Sequence, residues 1–228
     1  MKIIDKQMID SEKNKNITFI RIQPENLSET IQEIIKSLTD LAWIAQFDKK
    51  YVRESFQKRA SDSAQYLSEK LSQCSDDQVT KDVGEYVVSE LSRTAIVNEL
   101  KYLDIPLAEL FKEQVSGNPG FDYYSENCDN IIIFGEAKYL ARDNAYGRGM
   151  EQVSRFIEEE QDISDLNDID KFFNVISLEA ANNGDKAYSI GFSSKKIPTD
   201  KLIENIKHNQ YFKSLEIHKE LIFVAVNI

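Results

Sequence analysis

The run Gly120-Phe-Asp-Tyr-Tyr-Ser-Glu-Asn-Cys-Asp-Asn-Ile-Ile-Ile-Phe-Gly-Glu-Ala-Lys138 decides how this chain folds. Phe121–Tyr124 and Ile131–Phe134 carry the aromatic and β-branched residues that strands favour. The polar stretch Ser125–Asn130 separates them, and Gly117-Asn-Pro-Gly120 ahead of them is a turn signal. The reading is a hairpin whose second strand is apolar enough to lie inside a sheet. Asp122 falls on the first strand, and Glu136 and Lys138 fall at the end of the second. Side chains alternate along a strand, so Glu136 and Lys138 share a face. Two carboxylates and an amine then converge at a sheet edge, beside Gly135, which gives close access.

Outward from that hairpin the chain alternates strands and helices. Downstream, Gly147–Ile157 has helical spacing through Met150, Val153 and Phe156. Glu158, Glu159, Glu160, Asp162, Asp165, Asp168 and Asp170, with Lys171 at the end, read as a solvated loop between helices. Phe172–Ala181 is a helix, Ala187–Phe192 a strand, Lys201–Ile206 a helix and Leu221–Val226 a closing strand. Upstream, Lys81–Leu100 is a helix with Val83, Val87, Val88, Leu91 and Ala95 on one stripe. Before it, Ile17–Ile22 is a strand, Asn26 opens a helix, and Lys49–Ser72 is a more polar helix ended by the turn-forming Ser75–Thr80. The expectation is an α/β fold: a central mixed sheet flanked by helices, plus a largely helical N-terminal region. The division is residues 1–75, an N-terminal strand and helical region, and residues 76–228, the domain carrying the hairpin.

Composition excludes several classes. The 228 residues carry 28 basic and 39 acidic side chains, a net charge of −11, so binding nucleic acid by bulk charge alone is disfavoured. No apolar run approaches the roughly 20 residues of a membrane span. Met1–Gln7 lacks the apolar segment of a secretory signal, and the expectation is a soluble, cytoplasmic protein. Cys74 and Cys128 are the only cysteines and His208 and His218 the only histidines, too few for a disulfide scaffold or a His- or Cys-based metal site. No Gly-x4-Gly-Lys-Ser/Thr loop is present, which sets kinases and NTPases aside.

Hard divalent cations prefer carboxylate oxygens, and Mg²⁺ keeps waters beside one or two protein carboxylates. Asp122 and Glu136 match that donor set, and Lys138 would orient water or offset charge on a phosphate. The bare pattern is weak, because Glu99-Leu-Lys101, with Glu85 upstream, repeats it in a helical context. Residues two apart on a helix do not share a face, so the second copy is favoured.

Taken together, these residues resemble the PD-(D/E)XK phosphodiesterase superfamily, whose fold is restriction-endonuclease-like, over roughly Asp82–Phe156. The resemblance implies that Asp122, Glu136 and Lys138 are catalytic. It also implies that Asp122, Glu136 and the Ala137 carbonyl hold Mg²⁺ or Mn²⁺. It assigns the helical glutamate to Glu85, as a catalytic or second-metal residue, although Glu90 also flanks that helix's stripe. Gln152, with Arg148 and Arg155, takes the position of DNA contacts on the following helix. One departure is that Gly120-Phe121, rather than Pro, precedes the acid; Pro119 stands three residues before it.

Gly-Phe-Asp, Phe-Gly-Glu-Ala-Lys and the upstream Gly84-Glu85 are also similar to the nuclease-subunit family (HamA) of the Hachiman anti-phage systems. That narrower resemblance implies metal-dependent DNA hydrolysis in an antiviral defence complex with a helicase partner. Such a partner would account for the acidic charge by supplying most of the grip on DNA. A stand-alone restriction or repair endonuclease, and a non-catalytic binding module of nuclease fold, remain open alternatives.

Overall fold

A computed structural model describes residues 1–11, 13–73, 81–112, 120–195 and 197–228. The expected turns at Ser75–Thr80 and at 117–119, and the division near Asp76, lie outside the described residues. In chain order the elements are β1 Lys2–Met8, β2 Ile17–Gln23, α1 Leu27–Thr39, α2 Lys50–Leu71, α3 Lys81–Leu100, α4 Ala108–Phe111, β3 Tyr123–Glu126 and β4 Ile132–Lys138. They continue with α5 Tyr146–Glu158, α6 Gln161–Ile169, α7 Val175–Asn182, β5 Ala187–Ser194, α8 Thr199–Lys207, α9 Phe212–Leu215 and β6 Glu220–Asn227. Short 3₁₀ turns lie at Ala42–Gln46 and Asp170–Phe172.

The six strands form one mixed sheet in the order β1-β2-β6-β5-β4-β3. The inner four, β2, β6, β5 and β4, run parallel, and an antiparallel partner closes each side. Parallel strands are covered on both faces, and here β5 and β6 are buried along almost their whole length. Neighbouring β5 residues show the two faces. Gly191 lies under Ser92 of α3, whereas Ile190 lies under Gly149 of α5. The α/β architecture with helices on both faces of a mixed sheet is therefore present.

Local chemistry accounts for the elements. Asn26 caps α1, its side chain accepting the Glu29 N–H at 3.1 Å. The stripe Val83, Val87, Val88, Leu91 and Ala95 is buried where α3 meets the sheet. On the opposite face Phe121, Phe134, Phe156 and Tyr188 pack ring to ring at 5.1–6.0 Å. Full burial of each apolar side chain contributes roughly 1.5–3 kcal/mol.

Four expectations are corrected. The N-terminal region contributes two strands, not one: β1 was missed because its charged and apolar residues are interleaved and only half covered at the sheet edge. The acidic stretch is not a solvated loop. It forms α6, and the i, i+3, i+7 stripe Asp162, Asp165 and Ile169 faces inward. The second hairpin strand is interior, between β3 and β5, as its apolar run indicated, so the carboxylates and the amine do not meet at an edge strand of the sheet as expected. The connection is also shorter than expected, because β3 continues to Glu126 and Asn127 organises the turn by accepting the Asp129 and Ile131 N–H groups at 3.0 Å each.

Candidate active site

β4 emerges from the sheet between α3 and α5, and its last three residues form the centre of the site. Asp122, just before β3, donates its N–H to Gly135 O at 2.8 Å. Its Oδ2 accepts the Ala137 N–H at 2.7 Å, carrying the β3–β4 pairing one rung further through a side chain. Glu136 is 1% exposed. Lys138 Nζ contacts Glu136 Oε1 at 2.9 Å and reaches round the strand end to Glu85 Oε1 at 3.3 Å. The expected shared face of Glu136 and Lys138 is therefore present, and Lys138 links the β4 carboxylate to the one on α3.

Two glycines make this geometry possible. A Cβ on Gly149 would lie 2.6 Å from Ile190 Cγ2, so only glycine lets α5 settle beside Lys138. Gly135 has a different role from the close access expected of it. A Cβ there would fall 2.1 Å from Tyr123 Cε2, because its cross-strand partner lays its ring over it. The Tyr123 hydroxyl continues to Ser189 Oγ at 2.8 Å. Gly135 thus seats a core aromatic residue on the α3 side of the sheet.

The electrostatics follow from this packing. Burial pushes the Asp122 carboxyl up to about 7, although Lys138 and the Ala137 N–H pull it down. Burial, then the neighbouring Asp122, push Glu136 well above the ordinary carboxylate range, against the pull of Lys138. Burial works against the Lys138 charge too, but Glu136, Asp122 and Glu85 outweigh it and hold the ammonium above its ordinary range. Glu136 Oε2 is buried with no hydrogen-bond partner among the described residues. Glu126 Oε2, at the hairpin turn, shares that condition.

A cleft of about 400 Å³ opens over Lys138, walled by Glu85, Tyr139, Leu140, Arg148, Glu151, Gln152 and Arg155. The structure thus gathers Lys138 and Glu85 with all three residues expected to contact DNA. Arg148 pairs loosely with Glu151 at 3.7 Å. Arg155 is exposed and leans over the Phe156 ring at 5.6 Å. Asp122 and Glu136 lie beneath, at the strand ends.

Other candidates are placed elsewhere. Glu90 belongs to a separate buried network, holding Arg93 through both its oxygens at 2.8 and 2.7 Å. Glu99 of the decoy motif pairs with Lys6, not Lys101. His208 bonds to the Glu204 carbonyl, and the His218 ring packs edge-on against Tyr188. Cys128 is exposed and unpaired in the hairpin turn.

The sequence reading missed Tyr139 and Glu151 as cleft walls, and it missed Asp165. Asp165 Oδ2 accepts the Phe121 N–H at 2.9 Å, so α6 pins the residue preceding Asp122. The available signal for Asp165 was its helical spacing from Asp162 and Ile169.

Comparison with known protein families, with curated proteins and with solved structures finds no match. No helix among the described residues is long and apolar enough to cross a membrane.

Proposed function

We propose that this protein is a metal-dependent nuclease that hydrolyses DNA phosphodiesters at the end of β4. The observation that carries the reading is Glu136 Oε2, a buried carboxylate oxygen without a partner among the described residues, next to a second carboxylate on Asp122. A buried charge of this kind needs a cation or a proton. Lys138 takes only Oε1.

The donors fit a hard divalent ion such as Mg²⁺ or Mn²⁺. Glu136 and Asp122 would hold it, with the Ala137 carbonyl as a main-chain ligand. Among the described residues no group of three or more His, Cys, Asp or Glu side chains gathers around one point. Two carboxylates therefore favour an ion that keeps several of its waters, as Mg²⁺ does. Glu85, which meets Lys138 rather than the other carboxylates, serves by fixing the ammonium. A bound ion would supply a Lewis acid and lower the pKa of water. Lys138, held protonated, donates to the attacking water or to phosphate oxygen rather than abstracting a proton. Arg148, Gln152 and Arg155 then orient the strand from α5.

The excess of acidic over basic side chains, 39 against 28, leaves little cationic surface for gripping duplex DNA. We infer that a helicase partner supplies that grip in an anti-phage complex; a stand-alone endonuclease would need none. A second reading takes the chain Glu85–Lys138–Glu136 as an ion-pair staple in a non-catalytic module, and the closed pairing of Lys138 favours it.

One assay separates these readings. Supercoiled, linear and single-stranded DNA are incubated with Mg²⁺ or Mn²⁺ and wild type, Glu136→Ala or Lys138→Ala protein, alone and with any co-purifying helicase. Cutting by wild type that both variants lose supports the nuclease. Absence of cutting in every condition supports the module. Activity only with the helicase supports the complex over the stand-alone enzyme.

A further inference from the structure

A second cavity of about 380 Å³ adjoins the cleft and shares Leu140, Arg148 and Glu151 with it. The two form one groove crossing the start of α5. The near wall of the second cavity is Asn144, Tyr146 and Gly147, and its far wall is Asn209, Gln210 and Tyr211 from the turn between α8 and α9. Asn209 Oδ1 accepts the Tyr211 N–H at 3.0 Å, which fixes the amide. Its Nδ2 faces Gly147, standing 3.5 Å from where a Cβ there would sit. Phe192 steadies the Tyr146 ring edge-on at 5.9 Å.

The lining differs in kind from that of the cleft. Arg148 and Glu151 are its charged residues, and they pair with each other. The rest of its polar surface is side-chain amides and two tyrosines. Duplex DNA is held through rows of cations on its phosphates. Amides and aromatic rings suit unpaired bases, whose edges accept and donate hydrogen bonds and whose faces stack.

We propose that this second cavity is a binding subsite for an unpaired nucleotide flanking the scissile phosphate, which makes single-stranded nucleic acid the substrate class. The inference rests on the nuclease reading for the position of the phosphate, at Arg148 between the two cavities. The base of the flanking nucleotide would lie between Tyr211 and the Asn209 amide, with Gln210 at its edge.

Fluorescence anisotropy tests it, using the full chain in Ca²⁺ with a labelled short oligothymidylate and a duplex of equal length. Wild type is expected to bind the single strand about tenfold tighter than the duplex. Tyr211→Ala and Gln210→Glu should each weaken single-strand binding about tenfold. Gln210 is exposed, so its variant reports on the groove even if truncating the half-buried Tyr211 disturbs the turn. Variants that bind the single strand as wild type does overturn the subsite, as does a wild-type preference for duplex. The nuclease reading fails separately, if the same oligothymidylate is bound in this pattern but is never cut with Mg²⁺ or Mn²⁺, either by the chain alone or with any co-purifying helicase.

Discussion

Asp162 and Asp165 on α6 are 3% and 2% exposed, and Glu136 on β4 is 1% exposed, yet their surroundings differ. Asp162 Oδ2 accepts Lys186 Nζ at 2.7 Å and the Tyr188 hydroxyl at 2.5 Å, and Oδ1 accepts the Ile163 N–H at 2.8 Å. Asp165 takes the Phe121 N–H and Tyr124 hydroxyl on one oxygen, and Lys112 and Gln161 on the other. All four oxygens are supplied with donors, as buried polar atoms in stable proteins generally are. Glu136 receives Lys138 on one oxygen and, among the described residues, nothing on the other. The contrast separates carboxylates whose oxygens are all engaged in holding structure from one that keeps an oxygen without a donor beside a second carboxylate.

The comparison predicts opposite mutational signatures. Glu136→Gln should reduce metal-dependent cleavage by about a thousandfold or more. It should leave the melting temperature close to that of wild type, because the amide replaces a carboxyl that burial already disfavours as an anion and Lys138 keeps Glu85 as a partner. Loss of cleavage accompanied by a large drop in melting temperature would move Glu136 into the structural group. Asp162→Ala should do the reverse. It strands the Lys186 ammonium in the core and should cost about 3–5 kcal/mol in denaturant unfolding. The protein that remains folded should cleave at the wild-type rate, since Asp162 touches no residue of the cleft.

The same contrast explains what was legible in the sequence. The strands Ile17–Ile22 and Leu221–Val226 and the helix Lys81–Leu100 announced themselves because each buries a continuous apolar pattern. The juxtaposition of Glu136 with Lys138 followed from strand alternation alone. β1 was illegible because an edge strand buries only one side of a charged, alternating segment. α6 was illegible because its inward stripe contains aspartates, whose burial depends on Lys112 and Lys186, about 50 residues before and 20 residues after them in sequence. Pairing between distant segments leaves no local pattern. Gly135 was misjudged for a related reason: its constraint comes from the Tyr123 ring across the hairpin, not from the site.

Titration should sharpen the distinction further. The Asp122 carboxyl is raised to about 7 in the folded protein, chiefly by burial, against an ordinary value of 3.8. The metal-free native state therefore holds a proton that the unfolded chain has released, so this group's contribution to stability falls as pH rises from about 4 to 7. The upward shift of Glu136, chiefly from burial, works in the same direction. Melting temperatures measured in a chelator should decline across this range. Millimolar Mg²⁺ or Mn²⁺ should raise them at pH 8 and have little effect at pH 5, where protons compete for the same oxygens. Asp122→Asn should flatten the slope and remove most of the metal's effect. A slope that survives this substitution unchanged would assign it to other groups.

The smallest expected effects lie on α5, where the cations compare with each other. Arg155 is exposed, and its described contact is the face of Phe156, so its charge is available to a phosphate. Arg148 stands beside Glu151 at 3.7 Å, which already offsets part of its charge. Arg155→Ala should weaken DNA binding a few-fold at low salt and lower the slope of log affinity against log salt by about one. Neither the melting temperature nor the rate at saturating DNA should move, because the residue is solvent-facing and would act through binding. Arg148→Ala should change the slope by less, and Glu151→Gln should enlarge it by freeing Arg148. If both arginine variants leave the slope unaltered, the strand does not cross α5. The cleft over Lys138 would then open toward its substrate from the α3 side, past Glu85.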